Sequence, residues 1–196
     1  MITLSNLLDE MQQWLNQEKN LGSPNPNNIV LATAGKTGIP HSRIVAIREI
    51  TEQGILFFTQ RDTRKVNELT ENPRASMTLW LPLQQREIVI EGSVVALSQK
   101  ENQHYWDLLP YDRKLRFSAY SPTSSQPIRA LAKLENKVKL LEKQYTATTI
   151  PMSAYYCGFC LVPTMLYFYT LGTTTFSEII KYSQSSDGWQ KQTLSP

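Results

Sequence analysis

Between Ser5 and Asn20 the apolar residues Leu7, Leu8, Met11, Trp14 and Leu15 recur at helical spacing, with polar or charged residues between them. That stripe predicts an amphipathic helix over residues 5–20, with Ser5 as its N-cap. A Pro/Asn/Gly-rich stretch at 21–28 predicts a loop. The pattern then changes to short apolar runs broken by turn residues. Strands are expected at 29–33, 40–49 and 55–59, with tight turns at 35–38 and 52–54. A short helix over 63–71, with Val66 and Leu69 inside, ends at Asn72-Pro73. Two further strands follow at 75–81 and 86–97, the second bending at Gly92.

The middle of the chain is helical. Ser98 and Glu101 have the spacing of a capping box and open a helix that Pro110 interrupts. A shorter helix is expected at 112–119 and a polar loop at 121–127. Ile128, Leu131, Leu134, Val138 and Leu141 form the stripe of a longer helix. Strands are then expected at 155–162, 165–170 and 176–182, and Asp187-Gly188 makes a tight turn before a last strand at 189–194. Consecutive short strands with tight turns predict antiparallel pairing, hence a mainly β, α+β protein built on a barrel or sandwich.

Composition narrows the function classes. The chain has 196 residues, 41% of them hydrophobic and 19% charged, and a formal net charge of +3. These are ordinary values for a globular chain with one good-sized core. No dense Lys/Arg block is present to track a nucleic-acid backbone. No stretch reaches the roughly 18 apolar residues of a membrane span, and residues 1–20 lack an apolar signal core, so a cytoplasmic location is expected. No G-x-G-x-x-G or Walker-type loop appears. Cys157 and Cys160 lie in an expected strand, where residues three apart face opposite ways, and no second Cys or His pair is near. They read as buried structural thiols. His41 and His104 read as lone structural residues.

Two stretches carry unusual polar residues. In the strand at 40–49, alternation puts Ser42, Ile44, Ala46 and Arg48 on one face and Arg43, Val45 and Ile47 on the other. A cation on a half-buried face needs an anionic partner. Glu49, Glu52 and Glu87 are candidates for that role, and so is a bound anion. The second stretch is the exit of the strand at 55–59, where Thr59 is followed by Arg61, Arg64 and Lys65 at the start of a helix. Helix N-terminal N–H groups favour an anion, and Arg, Lys and a hydroxyl suit a phosphate. A solvated turn accounts for the same residues.

At these positions the sequence resembles the pyridoxamine 5′-phosphate oxidase family. The resemblance rests on Arg43-Ile44-Val45-Ala46-Ile47-Arg48, Phe57-Phe58-Thr59, Thr63-Arg64-Lys65 and Asn72-Pro73-Arg74, in matching order and spacing. It implies an antiparallel Greek-key split β-barrel that binds FMN as a homodimer, with FMN at the subunit interface. Residues 1–150 would hold the FMN-binding barrel with its helices. Residues 151–196 would complete the barrel and the dimer interface. Arg64 and Lys65 would anchor the FMN phosphate, joined by Arg43. Residues Arg43, Ile44, Val45, Ala46, Ile47 and Arg48, with Phe58 and Thr59, would line the flavin.

Other implied flavin contacts are Glu87, where the family has Gln, Thr123 and Ser124 in the polar loop, and Tyr169, where the family has Trp. The implied substrate contacts are Arg48, Tyr105 and Arg113. Family cations are missing at Leu109, Ile179 and across Thr175-Phe176-Ser177, where an Arg-x-His is expected. The implied reaction oxidises pyridoxamine or pyridoxine 5′-phosphate to pyridoxal 5′-phosphate. A hydride passes from the substrate C4′ to the flavin, with dioxygen as acceptor. Two alternatives stay open: an FMN enzyme acting on another small ring compound, as phenazine-pathway relatives do, and a non-catalytic carrier of FMN or a B6 phosphate.

Overall fold

The computed structural model describes residues 2–196. Helix α1 (Leu4–Asn20) buries Leu7, Leu8, Met11 and Leu15, the expected stripe. Its cap is Thr3, not Ser5. Thr3 is extended, its hydroxyl accepts from Asn6 N at 3.2 Å, and its own N–H donates to the Asn6 side chain at 3.1 Å. Asn6 thus plays the part that Glu or Gln usually plays in a capping box.

Strands β1 (Asn28–Ala34), β2 (Pro40–Thr51) and β3 (Gly54–Gln60) form a meander. Then come α2 (Arg64–Glu71), β4 (Arg74–Leu81), β5 (Arg86–Ala96), α3 (Gln99–Asp107), α4 (Tyr111–Tyr120) and α5 (Ala132–Gln144). The chain ends in β6 (Tyr156–Thr170), β7 (Glu178–Ser185) and β8 (Gly188–Leu194). The strands run in the order β3-β2-β1-β4-β5-β6-β7-β8, and β3 also pairs with β6. That extra pairing closes six antiparallel strands into a barrel and leaves β7 and β8 as an extension.

Glycine marks both sides of β6. A Cβ on Gly54 would lie 2.0 Å from Leu161 O, and one on Gly92 2.1 Å from Val162 O. Only a residue without Cβ lets these backbones approach so closely. The two strands expected at 155–162 and 165–170 are one strand that runs through Pro163. Gly54 of β3 lies alongside Leu161, whereas β7 pairs only from Met165 onward. Pro163 therefore sits where β6 changes partner and the ladder needs no N–H.

The chain divides into two units. The first comprises the chain up to Phe57, Glu68–Val95 and Phe159–Pro196. Its core is Ile29, Leu31, Ile55, Phe57, Met77, Leu79, Leu81, Ile88, Ile90 and Leu161, all essentially inaccessible to solvent. The second comprises Phe58–Asn67 and Ala96–Gly158. It has its own core of Trp106, Leu115, Phe117, Ile150 and Tyr156. Val138 and Leu141 of α5 pack against it, but α5 buries no residue fully, and Leu131 is 70% exposed. Ile128 and Leu131 precede the helix they were expected to stripe. The strand expected from Phe176 begins at Glu178 instead, and Phe176 is 91% exposed in the preceding turn.

Candidate functional site

In the first unit β2 alternates as expected. Arg43 and Val45 are half-buried and Ile47 is buried, while Ser42, Ile44, Ala46 and Arg48 face solvent. Arg43 pairs with a glutamate not considered from the sequence, Glu68 in α2, with Arg43 Nη2 3.5 Å from Glu68 Oε2. Arg43 Nη1 donates to Thr33 Oγ1 at 2.5 Å and to Leu31 O at 3.3 Å. Thr33 Oγ1 donates in turn to Glu68 Oε2 at 2.5 Å. His41 Nδ1 lies 2.6 Å from Glu68 Oε1.

The β1–β2 register builds this cluster, since Thr33 pairs with His41 and Leu31 with Arg43. Burial pushes the Glu68 carboxyl up. Hydrogen bonds from Thr33 and His41, with the charges of His41 and Arg43, outweigh that and hold it below the usual carboxylate range. Glu68 and Thr33 were not singled out from the sequence, and His41 was expected to be a lone structural residue, whereas it lies against Glu68. The available signal was the two-residue spacing of His41 and Arg43, which puts both on one strand face.

Glu87 lies on the outer side of β5, half-buried and directly opposite Trp80. Its neighbour Arg86 is engaged by α1. The guanidinium sits 4.5 Å over the Trp14 ring and donates to Gln17 Oε1 at 3.2 Å. Tyr169 donates its phenol proton to Ser177 Oγ at 3.0 Å, and Gly172 N donates to the same oxygen at 3.2 Å. The turn at 171–177 is therefore closed by a residue at the place of the family's late histidine. Arg48 is solvent-exposed.

In the second unit, Phe58 stacks on Tyr156 with centroids 5.0 Å apart and planes 10° from parallel. Its centroid is also 5.0 Å from that of Tyr105. Two expected contacts, Phe58 and Tyr105, thus belong to one aromatic cluster. Beyond Phe58, Lys65 Nζ donates to Thr59 Oγ1 at 3.1 Å and to Thr63 Oγ1 at 3.4 Å. Thr63 Oγ1 passes its proton to Gln60 O at 2.9 Å. Arg64 opens α2, is exposed, and forms no ion pair among the described residues. An ammonium, a guanidinium and the half-buried Thr59 hydroxyl on one strand-to-helix turn are donors that suit a phosphate ester.

Thr123 is exposed and Ser124 half-buried. Both lie in the 121–127 loop, which the Gln60 side chain holds. Arg113 projects from the first turn of α4, exposed. Cys157 is buried with its Sγ 3.5 Å from Thr59 O, and burial pushes its thiol up to about 11. Cys160 is buried in the first unit, and neither cysteine forms a disulfide.

The comparison with known proteins assigns the family. The pyridoxamine 5′-phosphate oxidase family model matches residues 7–144. A pyridoxine/pyridoxamine 5′-phosphate oxidase of Alteromonas mediterranea is 32% identical over 185 residues, 94% of this chain and 86% of that one. The enzyme so named in Herminiimonas arsenicoxydans is 32% identical over 196 residues, covering 99% of this chain and 91% of that one. This chain belongs to the pyridoxamine 5′-phosphate oxidase family.

Among solved structures, PhzG from Burkholderia lata 383, in complex with tetrahydrophenazine-1-carboxylic acid, aligns with a TM-score of 0.87 and 26% identity. The match covers 96% of this chain and 91% of that one. A pyridoxamine 5′-phosphate oxidase-related, FMN-binding protein from Nostoc punctiforme aligns with a TM-score of 0.78 over 96% of both chains. At 17% identity it speaks for the fold. Among the described residues no helix is long and apolar enough to cross a membrane.

Proposed function

We propose that this family member is an FMN-dependent oxidase that converts pyridoxamine or pyridoxine 5′-phosphate to pyridoxal 5′-phosphate, with dioxygen as acceptor. The carrying observation is the turn from Thr59 to Lys65, where Lys65 is aimed at two hydroxyls beside the exposed Arg64. Arg64 and Lys65 would hold the FMN phosphate, Arg64 as a planar fork of donors and Lys65 as a point charge. The resemblance adds Arg43–Arg48, Phe58, Thr59, Glu87, Thr123, Ser124 and Tyr169. When bound, FMN supplies the hydride acceptor. The chain's part is to bind, orient and exclude water; the half-buried Phe58 ring, backed by Tyr156 in the core, would supply apolar wall for that.

Glu87 accepts hydrogen bonds where the family's Gln also donates, so its contact with the flavin has to differ. Arg48, Tyr105 and Arg113 are the substrate contacts in this reading. The reading includes a homodimer. Supporting it, Ile44, Val30 and Thr78 lie side by side on the outer face of β2, β1 and β4, with Trp80 next along β4. Ile44 is 67% exposed there.

A second reading keeps FMN and changes the substrate to another small ring compound. The likeness to PhzG and the absence of cations at Leu109, Thr175 and Ser177 favour it.

The test is the visible spectrum of the protein with FMN, before and after anaerobic addition of pyridoxamine 5′-phosphate. A perturbed flavin band that bleaches supports the first reading, and one that stays coloured favours the second. Replacing Arg64 and Lys65 together by Ala should weaken FMN binding at least a hundredfold, taking about 1.5–3 kcal/mol per charged hydrogen bond. Unchanged affinity would remove the phosphate role.

A further inference from the structure

We infer that Gln60 is a positioning residue for the cofactor: its buried amide latches the 121–127 loop to the turn that carries Arg64 and Lys65. Gln60 is the last residue of β3 and is 2% exposed, an uncommon setting for glutamine. Its Nε2 donates to Pro122 O at 2.7 Å and, more weakly, to Arg61 O at 3.4 Å. Its Oε1 accepts from Ser124 N at 3.3 Å. Its own carbonyl accepts from Thr63 Oγ1, the hydroxyl that also receives Lys65 Nζ. One residue thus joins two backbone groups of the loop to the start of α2, wholly within the second unit.

The chemistry explains the residue type. The loop offers a carbonyl at 122 and an N–H at 124, so the latch must donate and accept at one side-chain end. A side-chain amide does both without charge, from two separate atoms, and glutamine has the longer reach of the two amides. The loop has a separate hold on its other side, where Lys137 Nζ donates to Ser121 O at 3.0 Å. Thr123 N also donates to Tyr120 O at 2.6 Å. Losing Gln60 should therefore free residues 122–124 without undoing the helices. The inference rests on the reading in which Thr123 and Ser124 contact FMN.

Two variants test it. Gln60→Met keeps the side-chain length and removes both bonds. Gln60→Glu keeps an acceptor for Ser124 N but cannot donate to Pro122 O. Amide exchange is measured across the full chain, without and with FMN, together with FMN association and dissociation rates. In Gln60→Met the Ser124 amide should exchange roughly tenfold faster without FMN, while α3 and α4 amides keep the wild-type rate. FMN dissociation should quicken by a similar factor with little change in association. Gln60→Glu should fall between wild type and Gln60→Met in Ser124 exchange.

Unchanged Ser124 exchange in Gln60→Met overturns the latch. Faster exchange with wild-type FMN dissociation overturns the positioning role. If wild type itself does not bind FMN, the functional reading fails and the cofactor role falls with it. The exchange data then still decide the latch.

Discussion

Glu68 offers the sharpest test of how the first unit is held together. Its carboxylate receives the Thr33 hydroxyl at 2.5 Å, lies 2.6 Å from His41 Nδ1 and faces Arg43 at 3.5 Å. Glu68→Ala removes every one of these interactions and takes the carboxylate away from the half-buried Arg43, which keeps its bonds to Thr33 and Leu31 O. Breaking a buried pair on one side costs about 3–5 kcal/mol. That is a large share of the roughly 5–15 kcal/mol that holds a domain folded. Glu68→Gln keeps the shape and one acceptor and should cost less, about 1–2 kcal/mol.

Urea unfolding at pH 7 measures both. The effect should also depend on pH. Because the folded carboxyl titrates below its unfolded value, its contribution is complete at neutral pH. It is lost as pH falls from the ordinary carboxylate value through the lower folded one, so the gap between wild type and Glu68→Gln should narrow in acid. A Glu68→Ala protein within 1 kcal/mol of wild type at pH 7 would refute the account of Arg43's partner. A gap between wild type and Glu68→Gln that does not narrow in acid would refute the charge argument.

Gly54→Ala should lower the unfolding free energy measured in urea by about 3–5 kcal/mol, and with it the midpoint, since its Cβ would meet Leu161 backbone in a positive-φ residue. A midpoint like that of wild type would mean the β3–β6 seam is wider than described. Neither cysteine should react with a thiol reagent at pH 8 in the native protein, and both should react in urea. Cys157, with its thiol pushed up to about 11, holds only about one thiolate in a thousand there. Rapid labelling of the folded protein would contradict that burial. Ile44→Glu should convert the proposed dimer to monomer in sedimentation velocity, and a dimer that persists would exclude that strand face.

The barrel was legible where alternation and turn chemistry agreed. The strands from Asn28 to Ala96 fall within a few residues of the expected bounds because 35–38 and 52–54 fix the register between apolar runs. Three local readings failed for identifiable reasons. Ser5 looked like the cap because asparagine at the third helical position is an unusual half of a capping box, which hid Thr3. Pro163 looked like a strand end because the sequence cannot say that β6 changes partner there. Phe176 looked like a strand residue from its apolarity, but Ser177 closes a turn around it. Arg43 was rightly read as needing an anion. Glu68 was missed because it lies 25 residues further on and in a helix. The cations around Thr59 were visible by composition, but only the resemblance gave them a phosphate.

The cofactor and substrate contacts that the resemblance implies have fared differently, and the difference can be weighed. The positions for the flavin phosphate keep Arg43, Arg64 and Lys65. The positions for the substrate lack a cation at Leu109 and lack both groups of the Arg-x-His at Thr175 and Ser177. Ser177 is already spent on Tyr169 and Gly172, so its hydroxyl closes the chain's own turn. At about 1.5–3 kcal/mol per charge-assisted hydrogen bond, the two missing arginines alone, at Leu109 and Thr175, would remove about 3–6 kcal/mol of affinity for an anionic substrate. That is on the order of a hundredfold to ten-thousandfold in substrate binding. A phosphorylated substrate would then have to recover the loss through Arg48 and Arg113. An uncharged ring would have no such loss to recover. The ratio of KM for pyridoxamine 5′-phosphate to KM for an unphosphorylated ring substrate therefore carries more information about this chain than the rate on either alone.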